Sequence, residues 1–182
     1  MKQPLIQATL WSNIFLTMSY PAIHLYIMAG LTSNIVSLNQ ILLCISIIII
    51  NPMWNKYSDK LYKYYSLLML LESITYLVLN ITMILNIWTK IIYYLIDTFL
   101  YCVITQNLIC GTNKLKSFVY NKDTREKYDN TAQIATAIGT LIGSGIAIII
   151  DIPIKIAFII SWIGISIDDV FCFIAYKNNK KL

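Results

Sequence analysis

Five side chains that can exchange a proton lie within long apolar runs of this chain: His24, Glu72, Asp97, Asp168 and Asp169. A carboxylate at the centre of a membrane helix costs about 3 kcal/mol, so an ionisable group at that depth is read by default as a site for a proton, an ion or a charge partner. Neutral polar residues accompany them. Asn13, Thr17, Tyr20 and His24 are spaced by four, three and four positions and share one helical face, and Ser33, Ser37, Gln40 and Cys44 repeat that spacing. Polar stripes of this kind turn away from lipid. They line a wet cavity or hydrogen-bond between helices, the latter often for less than about 1 kcal/mol per pair.

Other chemistry is not written in the pattern. Cys44, Cys102, Cys110 and Cys172 all fall in apolar runs, without the close Cys/His spacing of a metal centre or the regular spacing of a disulfide framework, and read as small apolar packers. There is no nucleophile–base pair, no metal-ligand helix, no Gly-rich phosphate loop and no intramembrane-protease signature. The expectation is a protein that is not an enzyme and carries neither cofactor nor metal. A net charge of +5 raises the question of nucleic acid, but no basic patch is interleaved with aromatics on a polar face, so nucleic acid is not an expected partner.

The elements that must position these groups follow from hydropathy. Of 182 residues 58% are hydrophobic and only 13% charged, and the mean hydropathy is +0.66, well outside the range of a soluble domain. A bilayer core of about 30 Å takes roughly 20 apolar residues per helix. Six runs fit: 7–29, 33–50, 65–87, 91–110, 130–150 and 154–176. The fold expected is an all-α integral membrane protein, a single six-transmembrane-helix bundle over 1–182. The first run exceeds a signal-peptide core and lacks a small-residue cleavage site after it, so it counts as a span. Pro21 removes one backbone hydrogen bond and predicts a bend in it.

Basic residues set the orientation. Lys2, then Lys56, Lys60 and Lys63, then Lys114, Lys116, Lys122, Arg125 and Lys127, then Lys177, Lys180 and Lys181 fall on one side, leaving only Lys90 and Lys155 on the other. Positive-inside bias makes the first side cytoplasmic, with both termini inside a multi-pass protein of the cytoplasmic membrane. At 1.5 Å per residue, Glu72 and Asp169 then lie roughly 10 to 12 Å from the cytoplasmic surface, and Asp97 and His24 about 9 Å from the outer one.

The segment "NKYSDKLYKY" (55–64) interrupts the greasy pattern as a cytoplasmic turn between the second and third spans, with Asp59 suited to cap or charge the start of the third helix. Its spacing, Asn55-x-x-x-Asp59-Lys60-x-x-Lys63, resembles the pattern G-x-x-x-D-[RK]-x-G-[RK] between helices two and three of the major facilitator superfamily; Asn55 and Tyr62 stand where that pattern has glycines. The opening "NIFLTMSYPAIHLYIMAG" is similar to a first helix of that superfamily. "TREKYDNTAQIATAIGTLIGSG" resembles the entry to a fifth helix in its drug-efflux members, and "ISIDDVFCFIAY" a sixth helix in the macrolide- and siderophore-exporter branch. Ser144 occupies the proline place of the fifth-helix antiporter motif, and the fourth span lacks the arginine many proton-coupled members carry.

The resemblance implies one six-helix half of a transporter. Helices one and four would line a central cavity, making Asp97 and His24 the proton-coupling candidates and Asn13, Thr17 and Tyr20 cavity lining. Helices three and six would pack outside, giving Glu72, Asp168 and Asp169 structural or conformational roles. Ala135, Gly139, Gly143 and Ala147 form a small-residue ridge suited to close helix packing, either within the bundle or, by the resemblance, toward a second half. That half would come from a second copy or another chain, and the cargo would be a small amphipathic compound moved with the proton gradient. The alternative is a non-transporting membrane protein, such as an immunity factor against a secreted peptide or an accessory subunit, or a truncated transporter.

Overall fold

A computed structural model describes residues 3–87, 89–120 and 122–179. These are helical almost throughout, and among them there is no strand. The elements are α1 (Gln3–Met28), α2 (Ser33–Tyr62), α3 (Tyr65–Ile84), α4 (Lys90–Leu100), a π turn (Tyr101–Thr105) leading directly into α5 (Gln106–Val119), α6 (Lys122–Ile149) and α7 (Ile154–Asn179). Five stretches are long and apolar enough to cross a membrane: α2, α3, the continuous α4–α5 rod, α6 and α7. α1 has the length, 26 residues or about 39 Å, but dilutes its apolar surface with Ser12, Asn13, Thr17, Ser19 and His24. The chain therefore reads as a multi-pass membrane protein with five or six spans. Its outward face agrees with that: Leu141, Ile148 and Ile149 are 75%, 85% and 83% exposed, an apolar surface that hydrocarbon accepts and water does not.

The helices reach further than their apolar cores. The turn expected over 55–64 is mostly helix, because α2 continues to Tyr62 and only Lys63 and Tyr64 separate it from α3. A local departure at Tyr57 (φ −122°, ψ 22°) redirects the last turn of α2. Asp59 thus belongs to the end of α2, not the start of α3, whose N-cap Tyr64 makes no side-chain cap hydrogen bond. The charged stretch after the fourth span is likewise helical, forming the end of α5 and the start of α6. Lys2, Lys180 and Lys181 lie outside the described residues. α1 continues through Pro21.

Turn chemistry is clearest after α3. Asn86 adopts a left-handed conformation (φ 56°), its amide donates to Met83 O at 3.0 Å, and the Ile87 amide donates to Thr82 O at 2.9 Å. This is a Schellman end with asparagine in the usual glycine place, tolerated because its short polar side chain permits positive φ. α4 then starts on Thr89, whose hydroxyl accepts from the Ile92 amide.

Contacts divide the chain into two compact units. One comprises Met1–His24 and Leu115–Leu182. Within it the small-residue ridge of α6 meets α1: a Cβ on Gly139 would lie 2.7 Å from Leu10 O, and one on Gly143 would strike Thr17 Oγ1 and Ile14 O. Gly164 brings α7 against Phe15 and Leu16 of α1. Tyr120 stacks on Tyr128 with ring centroids 4.2 Å apart, and Leu115, Ala157 and Phe158 complete the buried core.

The second unit is Leu25–Lys114. Here α2, α3, α4 and the π turn pack together. Gly111 of α5 is buried where a side chain would overlap the fully buried Tyr65 ring. Lys90 sits 4.0 Å over the Tyr26 ring and against Gly30, closing one end.

Candidate functional site

The polar groups of the second unit converge on α4, and spacing decides which neighbour each one meets. Tyr94 and Thr98, four positions apart, face α2: Asn39 donates to the Tyr94 hydroxyl at 2.6 Å and accepts from Thr98. Tyr93 and Asp97, also four apart, face α3. The Tyr93 hydroxyl donates to Asn80 Oδ1 at 3.1 Å, and Asp97 lies within electrostatic reach of the Tyr76 and Tyr93 hydroxyls. Asn39, Asn80 and Thr98 are all buried, as partnered amides and hydroxyls in an apolar interior must be.

Glu72, four positions before Tyr76 on α3, is reached from the partner rod: the Thr105 hydroxyl donates to Glu72 Oε1. Glu72 is buried and Asp97 half-buried, and both carboxyls lie within electrostatic reach of the Tyr76 hydroxyl. On α3 the spacing is simple, since Glu72 and Tyr76 are four positions apart on one face. On the partner rod it is not. Eight positions along an unbroken α-helix would leave Asp97 and Thr105 about 80° apart around the axis. The π turn over Tyr101–Thr105 takes in one additional residue, so the pair is offset as if seven apart, within about 20°. The irregular turn is what puts Thr105 on the same side as Asp97.

Below this, α5 is held by a second set of bonds. Trp54 Nε1 donates to Asn107 Oδ1 at 2.7 Å, Gln106 Nε2 to Asn51 Oδ1 at 3.2 Å, and Tyr65 and Thr112 share a hydroxyl pair at 2.5 Å. At the polar end Lys114 Nζ lies 2.5 Å from Asp59 Oδ1 and 3.1 Å from Ser58 Oγ. The Lys114 hydrogen bond and charge hold the exposed Asp59 carboxyl below its usual range, with Lys63 contributing less. An anion is unfavourable at a helix C-terminus, and Lys114 offsets that.

The remaining expected residues are dispersed. Asn13 and Thr17 bond to carbonyls of their own helix, Thr9 O and Asn13 O, and face the glycines of α6, a packed surface and not a cavity wall. Tyr20 and His24 are exposed and stack on each other at 5.1 Å. His24 belongs to one unit and Asp97 to the other. Ser33, Ser37, Gln40 and Cys44 face outward, while Asn39, one position off their stripe, is buried and bonded to α4. Asn55, Lys60 and Lys63 are exposed beside Asp59. On α7 Asp169 is buried, and Asp168 is exposed within electrostatic reach of Lys116. Among the described residues no group of three or more His, Cys, Asp and Glu side chains is gathered as a metal would need. Tyr76 and Thr105 were not singled out from sequence. The Glu72–Tyr76 spacing is the available signal; no residue pattern marks the π turn. No protein-family model, curated protein or solved structure matches the chain.

Proposed function

We propose that the chain acts in membrane transport, as one half of a proton-coupled exporter of small amphipathic compounds in the cytoplasmic membrane. A second half, from another copy or a different chain, completes the path. The observation that carries this reading is the pair of carboxyls, Glu72 and Asp97, set between apolar helices within electrostatic reach of the Tyr76 hydroxyl. An ionisable pair at that depth is costly to a protein that merely spans the bilayer and useful to one that binds and releases protons. The resemblance of 55–64 and of the first, fifth and sixth spans to the major facilitator superfamily supports the same direction of thought.

The test is efflux of a fluorescent amphipathic cation from proteoliposomes under an imposed pH gradient. Wild type should move the dye, and Asp97→Asn should abolish gradient-driven movement at unchanged protein level, because the amide keeps the shape and removes the titrating group. Equal efflux by wild type and empty liposomes, across several dyes, overturns the proposal.

A second reading is favoured by one observation: the Asn13–Thr17 face is filled by α6. A chain whose α1 packs Asn13 and Thr17 against a neighbouring helix suits a non-transporting role, such as immunity to a secreted peptide. Protection of cells from a co-encoded peptide, with no dye transport, would select it.

A further inference from the structure

We infer that the exposed lysines Lys56, Lys60 and Lys63, at the corner between α2 and α3, form a binding surface for the headgroup of an anionic phospholipid. The inference rests on the chain spanning a bilayer and not on the transport reading.

The sequence puts two faces on this corner. Trp54, Ser58, Leu61 and Tyr65, spaced by four, three and four positions, share one face; Trp54 and Tyr65 are buried, and Ser58 is bonded to Lys114. Lys56, Tyr57, Lys60, Lys63 and Tyr64 are exposed. The two tyrosines are 43% and 61% exposed, and Lys56 Nζ lies 5.2 Å over the Tyr57 ring. Lysine and tyrosine interleaved at the end of an apolar run suit the headgroup layer of a bilayer. The tyrosine ring is amphipathic, and a lysine lays its stem along apolar surface while its ammonium reaches phosphate.

The patch is cationic because of how its one acid is used. Asp59 could neutralise a neighbouring lysine, but Lys114 of α5 holds its carboxylate at 2.5 Å. The Lys114 side chain is only 14% exposed, so a cation from within the fold cancels the acid and leaves the three surface lysines uncompensated. Among the described residues no carboxylate lies within ion-pair distance of them. The other acids of the unit Leu25–Lys114 are Glu72 and Asp97, both inside apolar runs. Three ammonium groups beside a bilayer surface complement a phosphate whose headgroup carries no cation, as in phosphatidylglycerol. A choline headgroup brings its own positive charge and does not fit. Each lysine held near an anionic lipid surface is worth about fivefold in affinity.

Native mass spectrometry of the full chain in detergent, titrated with phosphatidylglycerol or phosphatidylcholine, counts the lipid bound. Wild type should prefer phosphatidylglycerol. Lys56→Gln, Lys60→Gln and Lys63→Gln should each lower that preference about fivefold, and the three together should abolish it; all three positions are exposed, so glutamine disturbs no packing. Removing the same charge elsewhere, with Arg125→Gln, Lys127→Gln and Lys177→Gln combined, should leave the preference unchanged. Lys114→Gln frees Asp59 to neutralise the lysines and should lower the preference, and adding Asp59→Asn should restore it. Should Lys114→Gln fail to fold, Asp59→Asn alone must keep at least the wild-type preference. Inorganic phosphate in excess should not displace the lipid. A wild type that does not discriminate, a Lys56/Lys60/Lys63 variant that still does, equal loss in the distant triple variant, or displacement by phosphate each overturns the inference.

Discussion

Thr105, the last residue of the π turn, donates its hydroxyl to Glu72 across 33 positions of sequence. The bond couples a backbone irregularity to a buried carboxylate. Without the additional residue of that turn, Thr105 and everything beyond it on α5 would be rotated by about 100° relative to Asp97. The π turn thus serves two sets of contacts at once: the carboxyl pair above it, and the Trp54–Asn107 and Tyr65–Thr112 bonds below it.

Deleting Val103, an exposed residue within the turn, should leave a regular α-helix with Asp97 and Thr105 seven positions apart and the α5 contacts in register. Inserting an alanine after Val103 should rotate all of α5 away from α2 and α3. Monodispersity and thermal midpoint in detergent are expected to stay near wild type for the deletion and to collapse for the insertion. Equal tolerance of both would show that register is not what the turn supplies.

Gly143→Leu should be severely destabilising, since its first side-chain atom meets Thr17 and the Ile14 carbonyl; overpacking costs about 1–3 kcal/mol where neighbours can move, and backbone cannot. Gly139→Leu should behave alike. Gly145→Ala meets nothing within 4 Å and should stabilise α6 by roughly 0.5–1 kcal/mol. Thermal unfolding in detergent distinguishes them, and a Gly143→Leu variant as stable as Gly145→Ala would contradict the α1–α6 contact.

The Asp59–Lys114 pair has a defined pH dependence. The Lys114 contact holds the folded-state pKa of Asp59 below its ordinary value, so its contribution is present above that ordinary value and lost as pH falls through the lower folded value. Asp59 is exposed, so the effect is small and screened by salt. Stability of wild type and Asp59→Asn measured from pH 6 to pH 3 should converge at the acid end, with wild type ahead at pH 6. Parallel curves would remove the pair from the stability of this end.

Orientation is testable through the uneven distribution of basic residues. Single cysteines beside Lys90 and Lys155, in a background without the native cysteines, should react with an impermeant maleimide from outside intact cells. Cysteines beside Lys60 and Arg125 should react only after permeabilisation. The reverse pattern would place both termini outside.

Much of the architecture was legible because hydrophobic content and helix length act locally. Long apolar runs must satisfy their backbone hydrogen bonds internally in lipid, which dictates helices over most of the residues where the structure has them. Ends were less legible. α2 and α5 carry charge into water without unwinding, so composition marks where the apolar layer stops, not where the helix does.

The candidate site divides the same way. Sequence alone determined that Glu72 and Asp97 are carboxyls within long apolar runs and that Gly139 and Gly143 form a ridge, since residue type and periodicity suffice for both. Only the tertiary structure decided that the ridge is filled by α1, that Asn13 and Thr17 line a packed contact, and that Thr105 meets Glu72. The physical reason is rotation about the helix axis. A face is set by counting 100° per residue, and one additional residue in a π turn changes every face that follows it.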